Sequence, residues 1–179
     1  MADDLRARAL RSYERGQLRA ALALSAWIVP LSALATQCCQ RRPEVAAIGV
    51  ASFALCTYLA WRGGVMRVAV GAGLKCGAVA MAMPLLVTLA GVTCSPEHVD
   101  PRVIVFCVAG GLAAGAAVAW RARGLAERQG TFLVVACGIA LLLGSMGCMI
   151  AGLGGVLGML AGGVLASTPA LARMALGRG

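Results

Sequence analysis

The sequence predicts an all-α integral membrane protein, a bundle of six transmembrane helices, with five helices as the alternative count. Three observations predict this class: 60% of the 179 residues are hydrophobic, only 13% are charged, and the mean hydropathy is +0.86. Soluble domains carry about twice that charged fraction, because their surfaces face water. Lipid can solvate the excess apolar surface, so the composition argues against a soluble enzyme.

Apolar runs locate the spans, since a helix needs about 20 apolar residues to cross a bilayer. Residues 1–18 form a short basic cytoplasmic segment, and residues 173–179 form a cytoplasmic tail. The helix bundle between them, 19–172, contains the predicted spans 19–39, 44–61, 66–94, 103–120, 131–149 and 152–170. The last two come from one uncharged run. It is too long for a single span and suits two spans joined by a glycine turn near Gly147-Cys148 or Gly152-Gly155.

Basic residues predict the orientation, because they concentrate on the cytoplasmic side of membrane proteins. With the N-terminus inside, cytoplasmic segments hold twelve arginines, and outer segments hold only Arg41, Arg42 and Arg102. Trp61 and Trp120 each precede an arginine at the inner interface, where such pairs are favoured. Both termini are therefore expected in the cytoplasm. The net charge of +9 then serves contact with membrane lipids, and we expect no direct nucleic-acid binding.

The eight cysteines are the main candidates for chemistry. Four fall near the outer ends of spans, one lies about one turn inside the fourth span, and three lie deeper: Cys38, Cys39, Cys94 and Cys148, then Cys107, then Cys56, Cys76 and Cys137. Thiols at one membrane face could bind a soft metal ion of the copper, zinc, cadmium or mercury class, or be oxidised. Alternatively, each cysteine packs as a small apolar residue.

Enzyme chemistry is not expected from this sequence. It contains one histidine, His98, and no combination of acid, base and nucleophile that the predicted spans would bring together. No cofactor is therefore required. Lys75 is the one basic residue deep within a span, about nine residues from its start, where a charge is costly. It either extends toward the inner interface marked by Arg67 or faces the bundle interior beside Cys76.

The N-terminal segment is the only sizeable soluble piece, and Asp3 or Asp4 can cap a helix there. Arginines recur in it at steps of three and four residues and form a basic stripe, with Tyr13 to one side. Such a helix either rests on anionic lipid or docks a cytosolic partner. The candidate partner-binding residues are Arg8, Arg11, Tyr13, Arg15 and Arg19.

Gly73-Leu74-Lys75-Cys76, followed by an apolar stretch and Pro84-Leu85-Leu86, resembles the Gly-Xaa-basic-Cys…Pro-Leu segment of NrsF-type membrane anti-sigma factors. Cys148 between the last two spans resembles a second cysteine of that family, which typically lies in a His-Cys-Pro-like stretch; this chain has Gly147-Cys148-Met149. The resemblance implies a six-helix protein of the bacterial inner membrane. Such a protein sequesters a cytoplasmic extracytoplasmic-function (ECF) sigma factor and releases it on a stress signal. It also implies that Cys76 and Cys148 are a sensing pair and that the N-terminal segment helps to hold the sigma factor.

Two other functions are compatible with the sequence. A small transporter or carrier of soft metal ions would use Cys38-Cys39 near the outer face and the deeper cysteines as a relay. Against it, the interiors of the spans hold no acidic residue, and Lys75 would repel a cation. A structural subunit would instead pack its small-residue faces against a larger membrane complex.

Overall fold

The chain is all-helical throughout the part that its computed structural model describes, residues 2–38, 42–89, 101–125, 128–149 and 152–176. The helices are α1 Ala2–Ser25, α2 Ile28–Cys38, α3 Arg42–Trp61, α4 Gly64–Leu89, α5 Pro101–Ala122, α6 Gln129–Cys148 and α7 Gly152–Leu176. The described residues contain no strand, so the predicted fold class is confirmed at this level.

Five helical stretches are long and apolar enough to cross a membrane: Leu10–Thr36, Pro43–Trp61, Gly64–Met83, Ile104–Ala122 and Gln129–Cys148. Helix α7 has a shorter apolar stretch, Gly155–Thr168. Large apolar side chains on the bundle surface are exposed, among them Val50 and Val134 at 71% each. Contact of such a surface with lipid is favourable, whereas its contact with water is not. The described residues therefore supply five to six candidate spans.

The first span differs from its predicted form, 19–39, in two ways. Helix α1 begins at Ala2, so the N-terminal segment and the first half of the span form one continuous helix. The helix is then interrupted at Ala26-Trp27. Pro30 explains the interruption, because it lacks the N–H group that would bond to the Ala26 carbonyl. The Val29 N–H donates to that carbonyl instead, at 3.1 Å.

The described turn between α3 and α4 is short. Helix α3 ends at Trp61 and α4 begins at Gly64, and the turn is made by Gly63 and Gly64 with φ of 72° and 57°. Only glycine adopts these angles without strain. Gly147 belongs to α6, which ends at Cys148, and α7 begins at Gly152. The two predicted positions of the glycine turn, Gly147-Cys148 and Gly152-Gly155, therefore lie at the end of α6 and in the start of α7. Residues 150 and 151 between these helices lie outside the described residues.

Helices α4 to α7 form a four-helix unit made of two hairpins side by side. Helix α4 packs along α6, and α5 packs along α7. Helices α4 and α6 are parallel, because Gly73 lies against Ala136 and Gly77 lies further along, against Leu143. The glycine contacts between α5 and α7 show that this pair is parallel too. Helices α1 and α2 pack on α3, which in turn contacts α4 and α6. The core therefore runs along the α3–α4–α6 contacts, with Met81 buried in it.

The contact between α5 and α7 depends on a glycine. A Cβ at Gly111 would overlap the backbone carbonyl of Met159, so no other residue fits without moving a helix. The segments that meet here, 109–115 (AGGLAAG) and 161–167 (AGGVLAS), are similar in sequence. Small residues let membrane helices approach closely and gain backbone packing that larger side chains prevent.

One end of the bundle carries the arginines of the described turns, and we call it the arginine end. Arg62 lies in the α3–α4 turn, and Arg123 follows α5. The Arg62 guanidinium lies 5.0 Å from the centre of the Tyr58 ring, and that of Arg123 lies 5.1 Å from the Trp120 ring. Pairs of an aromatic ring and a cation are typical of a membrane interface.

Candidate functional site

Three sulfur-bearing side chains meet in the core, toward the end of the bundle opposite the arginine end. Cys107 of α5, Cys148 of α6 and Met159 of α7 are buried in one apolar cluster. The Cys148 thiol donates a hydrogen bond of 3.8 Å to the Met159 Sδ, and the Cys107 side chain belongs to the same buried cluster. We call these three residues the sulfur cluster.

Helix topology brings the sulfur cluster together. Cys148 is the last residue of α6, Cys107 lies in the second turn of α5, and Met159 lies two turns into α7. These positions fall at the same end because successive helices run in opposite directions. Gly144, one turn before Cys148, makes room for the methionine, since a Cβ there would overlap the Met159 methyl group. The Met159 side chain therefore occupies the space that a side chain at position 144 would fill.

Two further thiols lie deeper in the bundle. Cys76 of α4 is half-buried and packs against the apolar cluster that contains the sulfur cluster. It also packs against a second apolar cluster, together with Cys137 of α6, whose thiol is close enough to interact with it electrostatically. Cys56 lies apart, buried in the core cluster with residues of α1 and α2. All five of these cysteines are free thiols.

The predicted sensing pair, Cys76 and Cys148, packs against one common cluster, but the direct thiol neighbour of Cys148 is Cys107. Cys107 was predicted to lie about one turn inside its span, and no role was predicted for it. Its depth, similar to that of Cys148, was the available signal. Cys38 is the last residue of α2. Cys39 and Cys94 lie outside the described residues, so their predicted metal-binding role stays a prediction.

The donor set of the sulfur cluster suits a soft metal ion. Thiolates and thioethers are the ligands that soft ions such as Cu(I) select. Two sulfur ligands of one tetrahedral ion lie about 3.8 Å apart, because each metal–sulfur bond is about 2.3 Å long. The separation of the Cys148 and Met159 sulfurs is 3.8 Å. Within the described helices no three His, Cys, Asp or Glu side chains converge, so the third donor here is a thioether.

The predicted partner-binding residues lie on the exposed surface of α1. Arg8, Arg11, Tyr13, Arg15 and Arg19 are all exposed. A groove of about 380 Å³ at the arginine end is lined by Arg11, Glu14, Arg15, Leu18 and Trp61. Tyr13 accepts a hydrogen bond of 2.7 Å from Gln17 on the same helix. It therefore points away from the arginine stripe, as the helical spacing predicts. We call the groove with its arginines the α1 groove.

Lys75 does not face the bundle interior. Its side chain is exposed and lines a surface groove between α4 and α5, beside Cys76 and Arg121. The alternative in which this ammonium points into the core is therefore wrong. The lysine lies on the membrane-facing side instead, where its apolar stem can extend toward the arginine end.

The described fold is all-helical, has five to six apolar helices that could span a membrane, and contains buried thiols, which is compatible with a multi-pass membrane protein. No protein-family model, no curated protein and no solved structure matches the chain.

Proposed function

We propose that the protein is a membrane-embedded negative regulator of the anti-sigma class. In this proposal α1 holds an ECF sigma factor at the cytoplasmic face, and the sulfur cluster registers a stress signal. The proposal rests on the resemblance of the Gly73–Leu86 region to NrsF-type proteins. The observation that carries it is the sulfur cluster, whose three donors come from three helices and in which the Cys148–Met159 sulfur separation suits a bound soft ion.

The proposed topology has six spans with both termini in the cytoplasm of a bacterium, in its inner membrane. It is supported by twelve arginines on one side of the predicted spans against three on the other. The arginine end is then cytoplasmic. The α1 groove accordingly opens to the cytosol, where an acidic surface of a sigma factor could pair with Arg11 and Arg15.

The proposed signal acts through protons and helix packing. A soft metal ion would be bound by the thiolates of Cys107 and Cys148 and the thioether of Met159, with two protons released to water. The ligands lie on α5, α6 and α7, and the backbones of α5 and α7 touch at Gly111. Bringing the Cys107 thiolate onto an ion held by Cys148 and Met159 would therefore shift α5 relative to α6 and α7. The packing of α6 against α3, on which α1 lies, would change with it.

Substituting the sulfur cluster tests this mechanism. We expect the purified full-length protein to bind one Cd²⁺ per chain with the ultraviolet absorption of cadmium–thiolate bonds. The double variant Cys107→Ser, Cys148→Ser should lose that signal, because serine hydroxyls are poor ligands for soft ions. Cys56→Ser is the matched control, since it removes a buried thiol from another cluster. Equal cadmium binding by the double variant would contradict the site, and Cys76→Ser tests whether Cys76 contributes.

A second candidate, a soft-metal carrier, is favoured by one observation. The described thiols extend from the sulfur cluster through Cys76 and Cys137 toward the middle of the bundle, as a relay requires. Uptake of Cu⁺ into vesicles containing the purified protein separates the two functions. The anti-sigma proposal expects no uptake above that of protein-free vesicles. Uptake that is lost in Cys76→Ser would establish the carrier instead.

A further inference from the structure

The groove between α4 and α5 carries two cations on the outer surface of the bundle. Lys75 and Cys76 line it from α4, and Arg121 lines it from α5. Its floor is formed by small side chains, including Ala72, Ala113 and Ala117, and its volume is about 220 Å³. The groove is therefore apolar along its length and positively charged on its walls.

The helix register places the two cations at different depths. Gly110 lies against Ala80, and the two helices are antiparallel, so Lys75 lies opposite Gly115. Arg121 is six residues closer to the arginine end, a rise of about 9 Å along the helix. Because both side chains are long, they can converge in the space between, and both line the same groove.

Neither cation is neutralised by the protein in the described residues. Helices α4 and α5 contain no aspartate or glutamate, and the acidic residues of the described helices belong to α1 and α3. Lys75 and Arg121 form no ion pair within the described chain. A cation at this depth is costly unless an anion or water accompanies it. Among the described residues the groove thus has no negative partner, and an anion from outside the chain would supply one.

The depth of the groove identifies the source of that anion. Trp120, next to Arg121, is 71% exposed and pairs with Arg123, as expected of a side chain at the membrane interface. Lipid phosphates lie at this level, and the alanine floor continues toward the hydrocarbon. Basic pockets between transmembrane helices at an interface are suited to anionic lipid headgroups.

We propose that this groove is a binding site for an anionic phospholipid of the phosphatidylglycerol class. Its phosphate accepts hydrogen bonds from the Lys75 ammonium and the Arg121 guanidinium, and one acyl chain lies on the alanine floor. The site is independent of the anti-sigma proposal, since it uses neither the sulfur cluster nor the α1 groove. Cys76 borders the bound lipid, so occupancy covers this thiol.

Native mass spectrometry of the full-length protein released from mixed micelles tests the site. The wild type is expected to retain phosphatidylglycerol in preference to phosphatidylcholine. In the double variant Lys75→Gln, Arg121→Gln that preference should fall about 30-fold. The two basic side chains attract the anionic headgroup about equally, and their effects on the affinity multiply. The double variant Arg67→Gln, Arg128→Gln is the matched control, since it removes two exposed cations outside the groove.

Three results would overturn the proposal. The first is equal retention of the two lipids by the wild type, and the second is an equal fall of preference in both double variants. The third is displacement of the lipid by inorganic phosphate alone, which would identify a site for a free anion. Lys75→Arg provides a second measurement that does not depend on whether the glutamine variant folds. It keeps the charge and is expected to keep the preference.

Discussion

Gly111→Ala is expected to destabilise the protein by about 1–3 kcal/mol, the usual cost of overpacking a close contact. The new Cβ would overlap the carbonyl of Met159. Since that carbonyl is backbone, the clash is relieved only if α5 and α7 move apart. The movement would also displace Met159 from the sulfur cluster. The effect is measured as thermal unfolding in detergent. Unfolding is detected as loss of the monodisperse peak in size-exclusion chromatography.

Gly138→Ala in α6 is the matched control, because a Cβ at Gly138 meets nothing within 4 Å. Alanine favours a helix over glycine by about 1 kcal/mol, so this variant should unfold at the wild-type temperature or above it. The two variants make the same chemical change in two helices of one bundle. A Gly111→Ala protein that is as stable as Gly138→Ala would show that α5 and α7 are not in backbone contact.

The double variant Arg11→Gln, Arg15→Gln is expected to weaken capture of the proposed sigma factor by on the order of 100-fold. Both arginines line the α1 groove beside Leu18 and Trp61. Arginines next to an aromatic anchor are common sites of binding energy in interfaces. The full-length tagged protein is isolated from its own cells, the captured sigma factor is identified by mass spectrometry, and its affinity is then measured with the purified pair.

Arg123→Gln, Arg128→Gln is the control for that experiment. It removes the same charge at the arginine end, so it changes the charge balance that sets orientation by the same amount as the test variant. Binding should stay within a few-fold of wild type. Equal weakening by both double variants would show that binding depends on general surface charge and not on the α1 groove. Capture of a protein of another class, with no sigma factor, would contradict the anti-sigma proposal itself.

The spans were predictable because lipid imposes simple demands on composition. Trp61 and Trp120, each followed by an arginine, end predicted spans, and α3 and α5 end at or within two residues of them. The interruption at Ala26-Trp27 was not predicted, although Pro30 carried a signal for it. Its missing N–H leaves the Ala26 carbonyl without its usual helical partner. A proline within an apolar run therefore contains more information than hydropathy alone.

The candidate site was only partly predictable, since depth follows from the sequence and rotation about the helix axis does not. Cys107 and Cys148 fall at similar depth in their spans, which made their proximity possible. That the two thiols meet depends on how α5 and α6 are rotated, and tertiary packing sets this rotation. Lys75 illustrates the same limit. Its position in the span was clear, whereas its exposure on the α4–α5 groove required the structure.

The parallel packing of α4 with α6 and of α5 with α7 has a consequence for biosynthesis. The hairpin α4–α5 leaves the ribosome before either of its parallel neighbours, so its small-residue faces meet lipid first. Met159 is the last member of the sulfur cluster to be translated. The sulfur cluster can therefore form only after α7 has been made, and a chain that stops after α6 lacks it.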